Sequence, residues 1–332
     1  MKSIGRCRAH TNIALIKYWG KRNEELFLPM NSSLSLTLDA FYTDTEVTLD
    51  STLDSDVFFL DNVKQGDKET AKITNFLNLF RNRANIETKA CIKSYNHVPT
   101  AAGLASSASA FSALAGATNQ ATGLNLDLKT LSTLARQGSG SATRSIYGGF
   151  VEWFMGESDL SESSFAIPVD DATWDIGMIV IAVNTGRKKL SSRVGMKQTI
   201  DTSPFYSSWV ETATKDIEKI KKAISEKDFI TLGEITESNG MKMHATMLGA
   251  FPPISYWEPD SVKAIQKVKE IRDMGLPCYV TMDAGPNVKV LCKRSDMIEI
   301  ENKLLEDFTR DQIIPSSVGE GIKLLSQDEW NY

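Results

Sequence analysis

Residues 99–110 read PTAAGLASSASA, a run with almost no bulk and many hydroxyls that leads straight into a helix-forming stretch. A fold can use such a run in two ways. Gly103 lets the chain turn tightly and lets a ligand approach the main chain without meeting a Cβ. A helix starting near Ser106 or Ser107 would aim its first free N–H groups, and the positive end of its dipole, at one spot that suits an anion. Ser106, Ser107 and Ser109 add hydroxyls for phosphate oxygens or Mg²⁺. The helix then runs through Ala110, Phe111, Ala113, Leu114 and Ala117 towards Gly123. No lysine follows in the Walker position, so this is not the GxxxxGK[ST] loop. The same composition equally suits a small-residue helix packed closely against a sheet.

At 332 residues the chain fits two lobes, or one large α/β body with a cleft. Its net charge of -5 gives no support to nucleic-acid or membrane-surface binding, so any anion site has to be local. Cys7, Cys91, Cys278 and Cys292 are spread without a CxxC pair, which suggests neither a zinc cluster nor a disulfide framework and fits reduced thiols in a cytoplasm. His10, His97 and His244 show no metal-binding spacing. Lys2, Arg6, Arg8 and His10 are followed by no apolar stretch of the kind a secretory signal needs. The longest apolar run, 176–183, is too short to span a bilayer and reads as a buried strand.

No repeat, low-complexity tract or long linker divides the chain, so the strand at 176–183 marks the boundary between an N-terminal lobe, 1–183, and a C-terminal lobe, 184–332. Before it, alternation predicts strands over 33–38 and 43–49, a helix over 68–83 and a strand over 90–94. Leu128, Leu131, Leu134 and Ala135 share a face of a helix over 127–136, with Asp127 as N-cap. After the boundary, 209–224 and 228–240 look helical. A helix over 261–274 is capped by Asp260, buries Val262, Ile265, Val268 and Ile271, and stops at Gly275. Strands over 278–282 and 288–292 flank an Asp-Ala-Gly-Pro-Asn turn that presents Asp283 at a hairpin tip. Helices alternating with antiparallel hairpins point to an α+β fold of sandwiched layers.

Three further segments carry chemistry. Residues 12–21 place Lys17, Lys21 and Tyr18 beside a glycine, two mobile charges and a hydroxyl for an anionic group, though a strand end with solvated lysines reads the same way. In GSGSATR, residues 138–144, Ser139 and Ser141 flank Gly140 and Arg144 follows one helical turn later. That set can grip a diphosphate or carboxylate, or can be a flexible loop with a surface ion pair. Residues 188–193, KKLSSR, form a basic, hydroxylated loop of a kind that is usually solvated surface.

Taken together and in order, NIALIKYWGK, PMNSSLS, PTAAGLASSAS, GSGSATRSIYGG and MDAGPNVK resemble the motifs of the mevalonate diphosphate decarboxylase family, within the GHMP small-molecule kinase superfamily. The resemblance runs from Asn12 to Lys289. It implies a GHMP-kinase-like fold of two lobes with a deep cleft between them, and ATP-dependent decarboxylation of mevalonate 5-diphosphate to isopentenyl diphosphate. Phosphorylation of the 3-hydroxyl would precede loss of phosphate and CO₂. Carried over by motif, Asp283 orients that hydroxyl and accepts its proton late, since an aspartate is too weak a base to ionise a tertiary alcohol beforehand. Lys17 keeps Asp283 ionised, and Arg144 fixes the substrate carboxylate. Ala14, Tyr18, Lys21, Ser139, Gly140, Ser141 and Arg193 hold the 5-diphosphate. Gly103, Leu104, Ala105, Ser106 and Ser107 meet the ATP phosphates, with Ser107 near Mg²⁺. Ser192 meets the γ-phosphate, and Ser94 or Asn96 the adenine. Magnesium is held mostly by ATP and water.

The resemblance also implies a homodimer, and residues 188–196 are the candidate for a closing loop. Rival readings are relatives that phosphorylate mevalonate or its 5-phosphate without decarboxylation, and a non-catalytic ligand sensor on the same fold. The retention of both the serine loop and Asp283 weighs against the sensor. Ser32 and Gln137 depart from the family's usual Asn and Arg, which bears only on fine substrate affinity.

Overall fold

The computed structural model describes residues 2–97, 107–184 and 190–332. The first half of the chain runs β1 (Lys2–Ile16), β2 (Lys21–Asn23), β3 (Leu28–Pro29), β4 (Ser33–Asp50), β5 (Val57–Leu60), β6 (Val63–Lys64), α1 (Asp67–Ala84), β7 (Ala90–His97), α2 (Ser107–Thr122) and α3 (Leu128–Gly138). A 3₁₀ turn over Gly140–Ile146 leads into β8 (Phe150–Trp153), β9 (Ala166–Asp170) and β10 (Gly177–Ile181). Then follow α4 (Ser192–Thr202), α5 (Tyr206–Glu226), α6 (Phe229–Leu248), α7 (Pro259–Asp273), β11 (Cys278–Met282), β12 (Val288–Cys292), α8 (Met297–Leu304), β13 (Ile313–Ser316) and β14 (Lys323–Leu324).

Two sheets organise these elements. The larger has the order β14-β1-β4-β7-β5-β6, with β8 joined to β4 and β9 to β8; the smaller has the order β11-β12-β10-β13. The long antiparallel pair of β1 and β4 is the spine of the first sheet, with its register shifted between His10 and Thr11. The two strands expected over 33–38 and 43–49 are therefore one strand, with residues 39–41 bulged out of register between them.

Helices α1, α2 and α3 cover one face of the large sheet, burying Val47 and Ile92 against Leu77, Leu114 and Leu131. The small residues of α2 serve this packing directly: a Cβ on Gly5 of β1 would fall 2.0 Å from the Ala117 carbonyl oxygen. On the other face Leu34, Leu36 and Leu38 join a core shared with α5, α6 and the inner face of the small sheet, including Ile217, Leu232 and Val180. Alternate residues of the small sheet, such as Ile179 and Val290, pack outward on Val268 and Ile300 of α7 and α8. Two helices thus lie between two sheets, with further helices outside each.

Several expectations change. The strand at 176–183 hydrogen-bonds β12 and β13, so it opens the second sheet, and a division placed after Val183 passes through that sheet. Helix α7 begins at Pro259 with Glu258 as its cap: Glu258 and Ser261 exchange side-chain bonds in a capping box, and Asp260 lies inside the first turn. Its buried face is Ser261, Ala264, Lys267, Val268 and Ile271, while Val262 is exposed, because repeated three-residue steps drift around the helix and leave it half a turn away from Ile271. Asp127 does cap α3, accepting from the Thr130 N–H.

Candidate active site

Where β1 ends, the chain leaves the large sheet as Lys17-Tyr18-Trp19 and enters a cleft of about 370 Å³. The 3₁₀ turn, the start of α2, the start of α4 and the β11–β12 hairpin provide the other walls. Ala14, Lys17, Tyr18, Lys21, Ser107, Ser139, Gly140, Ser141, Arg144, Ser192, Arg193 and Asp283 all line it. Distant segments meet there, as the Lys17–Asp283 pair, 266 positions apart, shows.

Asp283 sits one residue beyond β11, on the hairpin tip. Its Oδ1 accepts from Lys17 Nζ at 2.8 Å, and its Oδ2 lies 3.2 Å from Lys289 Nζ. Both ammoniums are almost fully buried, at 1% and 3% side-chain exposure, whereas the Asp283 side chain is 37% exposed and opens to the cleft. Burial alone would raise the Asp283 carboxyl's pKa, but the two ammoniums outweigh it and hold the carboxyl well below the usual range. Burial pushes Lys17 the other way, down to about 8 despite the pull of Asp283, with Lys289 and Arg144 adding repulsion.

Lys17 is held on every side. Its Nζ also donates to the Ala14 carbonyl at 2.8 Å, its backbone N–H to Asn239 Oδ1 at 2.8 Å, and its carbonyl accepts from Asn31 Nδ2 at 3.0 Å. Asn239 is in turn fixed by donating to Asp216 on α5. Arg144, 2% exposed, lies opposite. Its NH1 donates to Ser33 Oγ at 2.5 Å and its Nε to Asn12 Oδ1 at 3.2 Å. Burial lowers the pKa of its guanidinium to about 10, so it stays charged near neutrality.

Around this centre lies a ring of donors. The Ser139 hydroxyl is 3.2 Å from that of Ser107 and 3.3 Å from that of Ser141. The Tyr18 ring packs at 4.6 Å on Trp153, and its buried hydroxyl has no hydrogen-bond partner among the described residues. Glycine is required at 140 because a Cβ there would sit 2.9 Å from the Trp153 ring and 3.0 Å from that of Tyr18. Lys21 pairs with Glu24 at 2.8 Å and lies over the Phe27 ring at 3.9 Å, with Arg193 on the same ring at 5.6 Å.

The cleft is one acid surrounded by fixed cations and hydroxyls, suited to a small, multiply anionic substrate. A family model described as the diphosphomevalonate decarboxylase-like N-terminal domain matches residues 9–166, and one described as the mevalonate 5-diphosphate decarboxylase C-terminal domain matches residues 178–328. The chain belongs to the diphosphomevalonate decarboxylase family. A diphosphomevalonate decarboxylase from Candida albicans is 36% identical over 316 residues, covering 90% of this chain and 87% of its own. The crystal structure of mevalonate diphosphate decarboxylase from Staphylococcus aureus superposes with a TM-score of 0.95 at 50% identity, over 98% of this chain and 99% of that one. A decarboxylase solved in complex with MVAPP, AMPPCP and magnesium gives a TM-score of 0.93 at 53% identity, over 98% of this chain and 100% of that one.

Two expected adenine contacts are not brought to the decarboxylase cleft. The Ser94 hydroxyl pairs with Thr45 at 2.7 Å, the Asn96 Oδ1 accepts from Thr43 at 3.0 Å, and the Asn96 backbone N–H donates to Asp61, all along the large sheet. Gly103, Leu104, Ala105 and Ser106, with Lys188 and Lys189 of the basic loop, lie outside the described residues. Sequence reasoning missed Lys289, although a lone lysine inside the apolar strand VKVLC was a usable signal. It also missed the holders Ser33 and Asn239, which nothing local marks.

Proposed function

We infer that this chain catalyses ATP-dependent decarboxylation of mevalonate 5-diphosphate to isopentenyl diphosphate, with ADP, phosphate and CO₂ as the other products. One observation supports this reading above the rest: a single carboxylate, Asp283, opens between two buried ammoniums into a cleft also lined by Arg144 and four serines. The 3-hydroxyl oxygen attacks the γ-phosphorus, ADP leaves, and the hydroxyl proton passes to Asp283. The ammoniums make Asp283 too weak a base to take that proton first, so transfer accompanies or follows attack. The carbon–oxygen bond then breaks with its electron pair going to phosphate. The electrons of the carbon–carboxylate bond form the new double bond, and CO₂ departs.

Arg144 meets the substrate carboxylate, its guanidinium fixed by Asn12 and Ser33, and keeps that bond aligned for cleavage. Tyr18, Lys21, Ser139, Ser141 and Arg193 take the diphosphate, with Ala14 and Gly140 shaping the wall. Lys21 must exchange Glu24 for the incoming phosphate. Ser107 and Ser192 line the nucleotide side. Magnesium bound with ATP supplies charge neutralisation at the phosphates. The donor set fits an ion carried by the nucleotide, because no cluster of three His, Cys, Asp or Glu exists among the described residues.

Four unpaired cysteines, three of them buried, fit a reducing compartment, and no described helix is long and apolar enough to cross a membrane. Assembly as a homodimer belongs to the same proposal, with light scattering as its test. For the activity, carboxyl-labelled mevalonate, its 5-phosphate and its 5-diphosphate are each incubated with ATP and Mg²⁺. Equal CO₂ and ADP from the diphosphate alone supports the reading, whereas ADP without CO₂ makes the protein a 3-kinase.

A further inference from the structure

Lys289 is the element of the cleft that the decarboxylation reading leaves without a task. It stands near the start of β12, between Val180 of β10 and Thr281 of β11, in a small sheet whose other face is packed by helices. A lysine there gives up its hydration, and among the described residues it recovers two contacts, Asp283 Oδ2 at 3.2 Å and the Asn287 carbonyl at 3.2 Å. As a structural ion pair it would be redundant, since Asp283 already has Lys17 at 2.8 Å and Arg144 adds a third buried cation nearby. Adding a second ammonium to one carboxylate brings like charges together, a cost that a purely structural pair avoids.

What Lys289 adds is a second point of attachment. The terminal torsion of an aspartate is broad and roughly two-fold, so one ammonium on Oδ1 leaves the carboxylate plane free to turn. With Oδ1 on Lys17, just beyond the end of β1, and Oδ2 on Lys289 of β12, the plane is fixed from two separate segments. The hairpin carrying it is fixed as well: the Asn287 side chain accepts from the Val183 and Asn184 N–H groups, and the Gly285 N–H donates to the Asp283 carbonyl.

We propose that Lys289 is a positioning residue of the reaction, holding the Asp283 carboxylate in the one orientation that faces the substrate hydroxyl. The proposal rests on the reading of Asp283 given above. Its action is through Asp283, and it contributes nothing to holding either substrate.

The test measures single-turnover CO₂ release, KM for each substrate and the pH profile in Lys289→Met, Lys289→Gln and Lys289→Arg. Lys289→Met is expected to slow CO₂ release by about 10- to 100-fold, as for loss of an aligning contact, with both KM values within about threefold of wild type. Lys289→Arg is expected to recover most of that loss, because it restores a cation at Oδ2. The groups facing Lys17 are Asp283 and Lys289 on the hairpin, Arg144 on the 3₁₀ turn and His244 on α6. His244 is held neutral, its pKa lowered to about 4, chiefly by burial and then by Lys17. Removing the Lys289 charge removes repulsion from Lys17, so the alkaline limb set by loss of the Lys17 proton moves up in the Met and Gln variants and stays in place in the Arg variant.

An unchanged rate in Lys289→Met, a rise in KM alone, or an alkaline limb that stays put overturns the proposal. If Lys289→Met fails to fold, the Gln variant, whose amide can still reach the Asn287 carbonyl, decides it by the same criteria. Failure of the underlying reading looks different: Asp283→Ala would then release CO₂ at the wild-type rate.

Discussion

Two buried arginine- or lysine-carboxylate clusters in this molecule obey opposite rules. Asp56 and Arg81 lie between α1 and the edge of the large sheet, with side chains 2% and 5% exposed. They are balanced one to one and saturated: Arg81 makes two contacts to Asp56 and others to Thr88 and Asn78, and Asp56 also accepts from Thr74 and the Ala90 N–H. The Asp283 cluster has two ammoniums on one carboxylate and a guanidinium nearby, and its acid opens to the cleft. A balanced, closed set completes a fold, while a surplus of buried positive charge around an open acid makes sense only when an anion arrives to share it.

The first way to break this contrast is to damage the balanced pair. Asp56→Ala strands the Arg81 guanidinium and is expected to cost about 3–5 kcal/mol of stability, read by denaturant unfolding, with turnover per folded molecule unchanged. A loss of turnover beyond the unfolded fraction would show that this cluster also serves the site. Asp283→Ala should do the reverse, cutting kcat by at least ~10²-fold while nucleotide affinity, measured by calorimetry, stays near wild type. Smaller, at roughly tenfold or more, is the loss of kcat in Arg144→Gln, since a neutral amide cannot neutralise the substrate carboxylate. Weakened ATP binding with normal substrate affinity would move Arg144 to the nucleotide side.

The subtlest separation is in pH. Lys17 binds its proton less tightly when folded, at about 8, than at its ordinary 10.5. Between those values the unfolded chain carries more proton, so this lysine's contribution to stability rises with pH. Activity should move oppositely, falling as pH passes about 8 and Asp283 loses its partner's charge. The difference between wild type and Lys17→Met in both profiles checks the sign.

What could be read from the sequence followed the range of the interactions involved. The hairpin and its Asp283 were legible because Gly285, Pro286 and Asn287 write a turn between two apolar strands, and the α3 cap was legible because Asp127 acts three residues away. Of the two uses offered for the small-residue run, close helix-on-sheet packing is met by α2, and the part of the run proposed to cradle an anion, up to Ser106, lies outside the described residues. The start of α7 was misplaced although Pro259 is a good first helical residue, because Asp260 drew the cap away from Glu258. The sheet membership of β10 was not legible, since its partners lie more than a hundred residues later in β12 and β13. The grips on Lys17 by Asn239 and on Arg144 by Ser33 are of the same kind: ordinary polar residues whose role exists only after distant segments meet.

One such distant meeting bears on how the chain is made. Strand β14 closes the edge of β1 at Cys7 and Arg8, and His10 meets the Glu320 carbonyl 310 positions away. During synthesis, at about 5–20 residues per second, β1 waits for more than 300 further residues before this edge is covered. For that interval the edge of β1 is an unpaired strand, open to pairing with a neighbouring chain.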